Sequence, residues 1–318
     1  MQEPPSTWRD PLATLVFLSD LHFGKIFWNQ TRWIHEVAAA AFPRFQALYP
    51  HCYEAACALA VCVNNSILEK RMYYRIPTVV LHGGDLTRAG YPAEFAVGST
   101  FLHGFHYTNP DRKVGLGLKS WDEADGNDKP VILEIPGNHD LWQRNHPDRL
   151  VAFRECYPNK FPIRRRINHP ALTLLVYGLD STRASKAGHR WARGEIDPPQ
   201  LQECCEMLSE GRREGARQVV CLHHPFSKLE NGTGIAKRLR EAGADLVLSG
   251  HIHEYHVSDS SKKSPLHLVA GTATQMCSPR GFIVLDVFHP GIQWDYWEYD
   301  DNGTHFLPGT TEQRKWED

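Results

Sequence analysis

Short apolar runs recur along this 318-residue chain, and nearly every one stops at a glycine, a proline or a small polar residue. Leu15–Leu18, Pro77–Leu81, Val131–Ile135, Leu172–Tyr177, Gln218–Leu222 and Asp245–Leu248 are too short for helices and rich in Val, Leu and Ile. That pattern predicts buried strands. Segments of helical composition fall between them: two helices over about 30–75, broken near Tyr49-Pro50, then helices over 93–104, 198–214 and 234–242, the last closed by Gly243. Leu266–Ala270, Phe282–Phe288 and Ile292–Tyr299 succeed one another with only turns between them, which predicts antiparallel pairing at the end of the chain. Strands that first alternate with helices and later cluster give an α/β fold of the mixed-sandwich kind rather than a purely doubly wound sheet. The chain reads as one domain over 1–318. A helical insertion occupies about 30–75 and a polar loop insertion, poor in apolar periodicity, about 105–130. The run Arg164-Arg165-Arg166 reads as a surface turn.

The ends of these apolar runs carry more information than the runs themselves. The first run ends in Asp20-Leu21-His22, the second in Gly84-Asp85, the third in Gly137-Asn138-His139-Asp140, the fifth in His223-His224-Pro225 and the sixth in Gly250-His251-Ile252-His253. In an open α/β sheet the ligand site lies beyond the carboxyl ends of the strands, so these groups are expected to meet although they are far apart in sequence. Each fragment alone is a common polar turn; five in series predict a site. Asp20, Asp85 and Asn138 supply oxygens, and His22, His223, His251 and His253 supply nitrogens, a set too large for one tetrahedral ion but suited to two metals sharing the Asp85 carboxylate. Such a pair lies about 3.5–4 Å apart, activates a hydroxide between its members and neutralises phosphoryl oxygens. The expected chemistry is therefore phosphoester hydrolysis, with His139 as a proton donor or as a positive charge beside a phosphate oxygen.

Charge and composition narrow the partners. Lys plus Arg number 35 and Asp plus Glu 37, so the formal charge of 35 − 37 = −2 provides no general field for a polyanion, and nucleic acid is not expected as an obligate partner. The amino terminus lacks a basic head followed by an apolar stretch, and no apolar run approaches bilayer length, so a cytoplasmic address and no membrane partner are expected. The eight cysteines contain no C-x-x-C pair, which excludes a zinc ribbon and a thioredoxin-type motif; they read as reduced, buried small hydrophobes.

The five blocks, in this order, resemble the calcineurin-like metallophosphoesterase superfamily. Within it, Leu18–Gly24, Gly178–Thr182 and Ala270–Thr274 are most similar to the class III cyclic nucleotide phosphodiesterases and their relatives. The resemblance implies a four-layer αββα sandwich of two mixed β-sheets flanked by helices. It also implies two divalent or trivalent metal ions, with Mn, Fe and Zn foremost. Asp20, His22 and His253 would bind the first, Asn138, His223 and His251 the second, and Asp85 both, with His139 near the leaving group. The implied substrate is a small phosphoester, a cyclic or linear nucleotide among the options, with diesters ahead of monoesters. One position departs from the pattern: Arg88 stands three residues after Asp85, where purple acid phosphatases carry Tyr and protein phosphatases an Asp that orients the catalytic His. What orients His139 is left open, and so is the direction of Asp140. Arg144, Arg183, His189 and His224 are candidate substrate contacts, weighed against ordinary solvated charge for the first three and a structural role for the last. A nuclease of the same superfamily and a non-catalytic scaffold are the alternatives; the scaffold predicts missing ligands, and all seven ligand positions are filled.

Overall fold

The computed structural model describes Trp8 and residues 10–24, 52–109, 112–121, 130–141, 147–182, 192–275 and 279–316. At the centre of the first sheet is β1 (Ala13–Leu18), every residue of which is buried. Both of its faces are covered. Leu15 and Phe17 join the apolar cluster between the two sheets, while Val16 and Leu18 join the cluster beneath the outer helices. The period of two along the strand thus divides one apolar run between two cores.

β1 pairs in parallel with β2 (Thr78–His82), which pairs in parallel with β6 (Val131–Glu134). On its other side β1 pairs antiparallel with β13 (Gly281–Val287), and β14 (Gly291–Asp300) and β15 (His305–Lys315) extend the sheet as a meander. The second sheet is built on a parallel core of β8 (Leu172–Leu179), β9 (Arg217–Leu222), β10 (Leu246–Ser249) and β12 (Leu266–Val269), with antiparallel β7 (Ile163–His169) and β11 (His256–Ser258) at its edges. Outside the first sheet pack α1 (Tyr53–Val61), which runs through a π-helical stretch, Cys62–Leu68, into α2 (Glu69–Tyr73), and α3 (Pro92–His103). α4 (Pro147–Cys156) packs on α3. The second sheet is covered by α5 (Pro198–Arg213) and α6 (Gly232–Ala242), whose Leu201, Cys204, Leu208, Ile235 and Leu239 meet Leu175, Tyr177, Val220 and Val247. The result is the expected αββα sandwich. Cys52, Cys57 and Cys62 are buried in the helix-side core, so their five-residue spacing is packing.

Several segments differ from the sequence expectation, three of them for a clear physical reason. Arg164–Arg166 is not a turn but the middle of β7: Ile163 and Ile167 face the core, and Arg164 and Arg166 point outward to Glu210 of α5 and Glu214 just past its end. An edge strand tolerates such charge because it must resist pairing with other chains. Within 105–130, β3 (His106–Asn109) and β4 (Arg112–Val114) form a hairpin, and the two-residue β5 (Lys119–Ser120) adds to the edge of β6; the strands are too short to leave a periodic signal. β15 is not expected from the sequence at all, since most of its residues are exposed and His305–Lys315 lacks apolar alternation. Residues 30–51 of the predicted helical insertion lie outside the described residues. Among the described residues, no helix is long and apolar enough to cross a membrane.

The sandwich also buries a histidine away from the strand-end groups. His267 on β12 places Nε2 2.8 Å from the Ser249 hydroxyl and its ring against Phe226. Burial, helped by the charge of His256, lowers its pKa to about 3. The folded state therefore keeps the ring neutral while the unfolded chain protonates it near pH 6.5. Its contribution to stability is full above pH 6.5 and is lost as pH falls from there towards about 3, on the order of 5 kcal/mol in all. In His267→Leu, denaturant midpoints measured from pH 7 to pH 4 should fall less steeply than in the parent. Equal slopes would contradict this role.

Candidate metal centre

The loops after β1, β2, β6, β9 and β10 converge at one edge of the sandwich. The first two are stitched together by backbone: Gly83 N–H donates to Leu18, Asp20 N–H to Gly84, His22 N–H to Asp85 and Phe23 N–H to Leu86, at 2.7–3.0 Å. The loop after β10 joins them through the His251 N–H, which donates to Asp20 Oδ2 at 2.9 Å, and Gly250 N–H, which donates to the His223 carbonyl at 3.0 Å. Asp20, His22, Asp85, His251 and His253 all adopt positive φ, between 48° and 73°. Left-handed backbone at a non-glycine residue costs about 1–3 kcal/mol. Five such residues in one site mean that the bridging hydrogen bonds hold the side chains where the local chain would not put them. Gly137 is required by close approach, because a Cβ there would overlap the backbone N and carboxylate of Asp85.

Two groups of lone pairs result. In one, Asp20 Oδ1 lies 3.1 Å from His253 Nε2, and His22 Nε2 is 3.2 Å from the same nitrogen. In the other, Asn138 Oδ1 is 3.1 Å from His223 Nε2 and 2.9 Å from His251 Nδ1, and the two imidazole nitrogens are 3.3 Å apart. Asp85 Oδ2 faces both groups, 3.7 Å from His22 Nε2 and 3.3 Å from His223 Nε2. The ring protons are committed elsewhere. His223 Nδ1–H donates to the Gly83 carbonyl at 2.8 Å and His251 Nε2–H to the Ala192 carbonyl at 2.9 Å, so His223 Nε2 and His251 Nδ1 present lone pairs inward. Asp20 Oδ1 is buried with no hydrogen-bond donor among the described residues, and Asn138 Nδ2 likewise has no partner among them. Acceptors crowded this closely repel one another unless a cation lies among them. The donor set, all oxygen and imidazole nitrogen, suits borderline and hard metals.

Electrostatics agree. Burial would raise the Asp20 carboxyl, but the charge of His253 and the neighbouring His22 and His223 rings hold it well below the usual range. Asp85 is likewise lowered against its burial, chiefly by His223 and His139. His223 is pushed up to about 9, the Asp85 carboxylate outweighing burial, so Nε2 holds a proton unless a metal displaces it. Both carboxylates are ionised, and the point between them attracts positive charge.

The structure resolves what orients His139. Its Nδ1–H donates to the backbone carbonyl of Arg88 at 2.6 Å, so the residue that lacks the expected carboxylate supplies a carbonyl instead. The backbone N–H of His139 donates to Asp85 Oδ1 at 2.7 Å. Asp140 points away from His139. Buried, it accepts from the N–H groups of Leu86, Thr87 and Gly137, from the Thr87 hydroxyl and from Tyr157 Oη, tying the loop after β2 to the loop after β6. Tyr157→Phe removes one of these bonds and should cost about 1 kcal/mol. Asp140→Asn turns an amide donor towards N–H groups and should cost about 2–3 kcal/mol, read from thermal unfolding at fixed metal content. Equal melting of both variants and the parent would remove Asp140 from this role.

His224 is fully buried, its Nδ1 accepting from the Ser181 hydroxyl at 2.9 Å and its ring 4.4 Å from that of His251. It supports the His251 ring. Arg144, Arg183 and His189 lie outside the described residues. Sequence reasoning does not find the supporting hydroxyls: Ser19 Oγ donates to Asp20 Oδ2 at 2.6 Å, Thr272 to the Asp20 carbonyl at 2.7 Å and Thr274 to the Leu21 carbonyl. Ala270–Thr274, notable in the sequence only for its resemblance, thus fixes the Asp20 loop from behind.

A family model described as calcineurin-like phosphoesterase matches residues 13–255, three quarters of the chain and every residue of both lone-pair groups. The chain belongs to the calcineurin-like phosphoesterase family. Among solved structures, this phosphoesterase is similar to a dimetal phosphatase from Danio rerio, with a TM-score of 0.58 and 12% identity over 97% of this chain and 100% of that one. It is also similar to GAP50, described as the anchor in the inner membrane complex of Plasmodium, with a TM-score of 0.57 and 12% identity over 97% of this chain and 90% of that one. Both likenesses are of fold. Comparison with curated proteins finds no match.

Proposed function

We propose that this phosphoesterase is a dinuclear metal-dependent enzyme acting on small phosphoesters of nucleotide size, diesters ahead of monoesters. Asp20, His22 and His253 would hold one metal and Asn138, His223 and His251 the other, with Asp85 Oδ2 shared. The observation that carries this reading is the position of that single oxygen, facing two groups of converging acceptors. Mn, Fe or Zn suits the donors, and availability decides among them. Bound there, a metal pair supplies an activated water and neutralises charge on the phosphoryl group.

The chain's own residues do the positioning. Asp85 is fixed through Oδ1 by the His139 N–H, and Asp20 through Oδ2 by Ser19 and the His251 N–H, which leaves one oxygen of each carboxylate for a metal. His139, anchored through Nδ1 to Arg88, has Nε2 for the substrate side. Burial lowers its pKa to about 4, with the Asp85 charge opposing. A bound phosphoester anion is what would stabilise its protonated form, so protonation accompanies substrate binding. The diester preference rests on the similarity of Leu18–Gly24 and Gly178–Thr182 to class III phosphodiesterases. A formal charge of −2 and a full set of ligand positions weigh against the nuclease and scaffold readings.

Metal analysis of the purified chain, followed by assay with bis-p-nitrophenyl phosphate, p-nitrophenyl phosphate, cyclic AMP and single-stranded DNA, tests the proposal. Two metals per chain and faster turnover of the small diester are expected. A chain that takes up no metal and hydrolyses none of the four would refute it.

A further inference from the structure

A cavity of about 520 Å³ lies at the edge of the sandwich where β5 ends and β7 borders the second sheet, and none of the seven proposed metal ligands lines it. Its volume falls in the range of small-molecule sites. Trp121 and Phe161, both half-buried and packed on the inter-sheet core, give it apolar aromatic walls. Lys119 and Arg165 bring positive charge, Arg165 from the inward-facing register of β7 that also carries Ile163 and Ile167. Glu134 lies opposite in character. Its Oε2 is 2.9 Å from His103 Nε2, and His103 Nδ1–H donates to the Leu118 carbonyl at 3.1 Å, so both imidazole nitrogens are engaged. Glu134 Oε1, by contrast, is buried with no hydrogen-bond partner among the described residues. A buried carboxylate oxygen requires a donor.

We propose that this cavity is a second binding site, for a small planar aromatic molecule that carries both an anionic group and a hydrogen-bond donor. The ring lies against Trp121, the anion meets Lys119 and Arg165, and the donor meets Glu134 Oε1. Nucleoside monophosphates and aromatic amino acids share this chemistry. Neither half suffices: a bare anion leaves the aromatic wall and the carboxylate unused, and an uncharged ring leaves the charge of Lys119 and Arg165 unused.

Calorimetric titration of the metal-loaded full chain with AMP and with L-tryptophan distinguishes the two sources, with adenosine and inorganic phosphate as the separate halves. One of the first two should bind one-to-one and at least about tenfold tighter than either half. That binding should persist in Asp85→Ala, which separates it from the metal centre and from the proposed catalytic function. It should weaken about tenfold in Glu134→Gln and in Arg165→Glu, with hydrolysis of bis-p-nitrophenyl phosphate unchanged. Lys119→Glu, at an exposed position, serves if Arg165→Glu does not fold. The proposal fails if neither probe binds at millimolar concentration, if binding disappears with Asp85→Ala, or if the charge-reversed and Glu134 variants bind as the parent does.

Discussion

Asp85→Ala should leave this phosphoesterase without its metals and at least about 10³-fold less active towards bis-p-nitrophenyl phosphate. The size reflects the number of things one carboxylate does. Oδ2 faces both His22 and His223, so its removal takes a ligand from each group at once. Oδ1 accepts the His139 N–H, so the same change frees the loop that carries Asn138 and His139. Asp85→Asn separates the two contributions. It keeps the shape and can keep the bond to the His139 N–H, but it removes the negative charge that holds His223 and His22 in place. It should therefore still fold, with the loop after β6 held as in the parent, and still lose metal and turnover. If either variant retains both metals by elemental analysis and hydrolyses the diester at the parental rate, the shared role of Asp85 is wrong.

The parts of the molecule that can be read from its sequence are those where one local signal serves one structural purpose. β1, β2, β6, β8, β9 and β10 are legible because their residues are apolar on both faces, and burial on both faces is what a central parallel strand requires. The strand-end polar groups are legible for the opposite reason: Asp20, His22, Asp85, Asn138, His223, His251 and His253 interrupt apolar runs at the point where a sheet ends. β15 is not legible, because an edge strand that buries only Phe306 and exposes most of its other residues carries no alternation. Nor is β7, whose arginines mask two inward isoleucines. The backbone strain of the site is invisible too. Asp20 and His251 reach positive φ because partners far away in the chain hold them, and no window of sequence contains both ends of that restraint. The same is true of His139. Its described partner is the Arg88 carbonyl, a group that any residue would present if the loop placed it there. What that position needs from the sequence is a loop geometry, and Gly84 and Gly137 are the residues that allow it.

His139→Ala should lower turnover in proportion to the difficulty of the leaving group. Its Nδ1 is anchored to the Arg88 carbonyl, and its ring meets that of His22 edge-on at 4.7 Å, so the imidazole stands beside the two lone-pair groups. From there it can hand a proton to a departing alkoxide. General acid catalysis contributes about 10²–10⁴-fold where the leaving group needs a proton, and little where it does not. Alkyl phosphodiesters and nucleotides should therefore lose on that order in kcat, whereas bis-p-nitrophenyl phosphate, whose phenolate departs without help, should lose much less. The metal count decides between this role and a competing one. His22, Asp85 and His139 also lie close enough together to hold a cation, so His139 could be a ligand rather than a proton donor. A ligand's removal lowers metal content and reduces turnover of good and poor leaving groups alike. Retained metal with a leaving-group-dependent loss assigns the imidazole to the substrate, and a uniform loss accompanied by released metal assigns it to the metal centre.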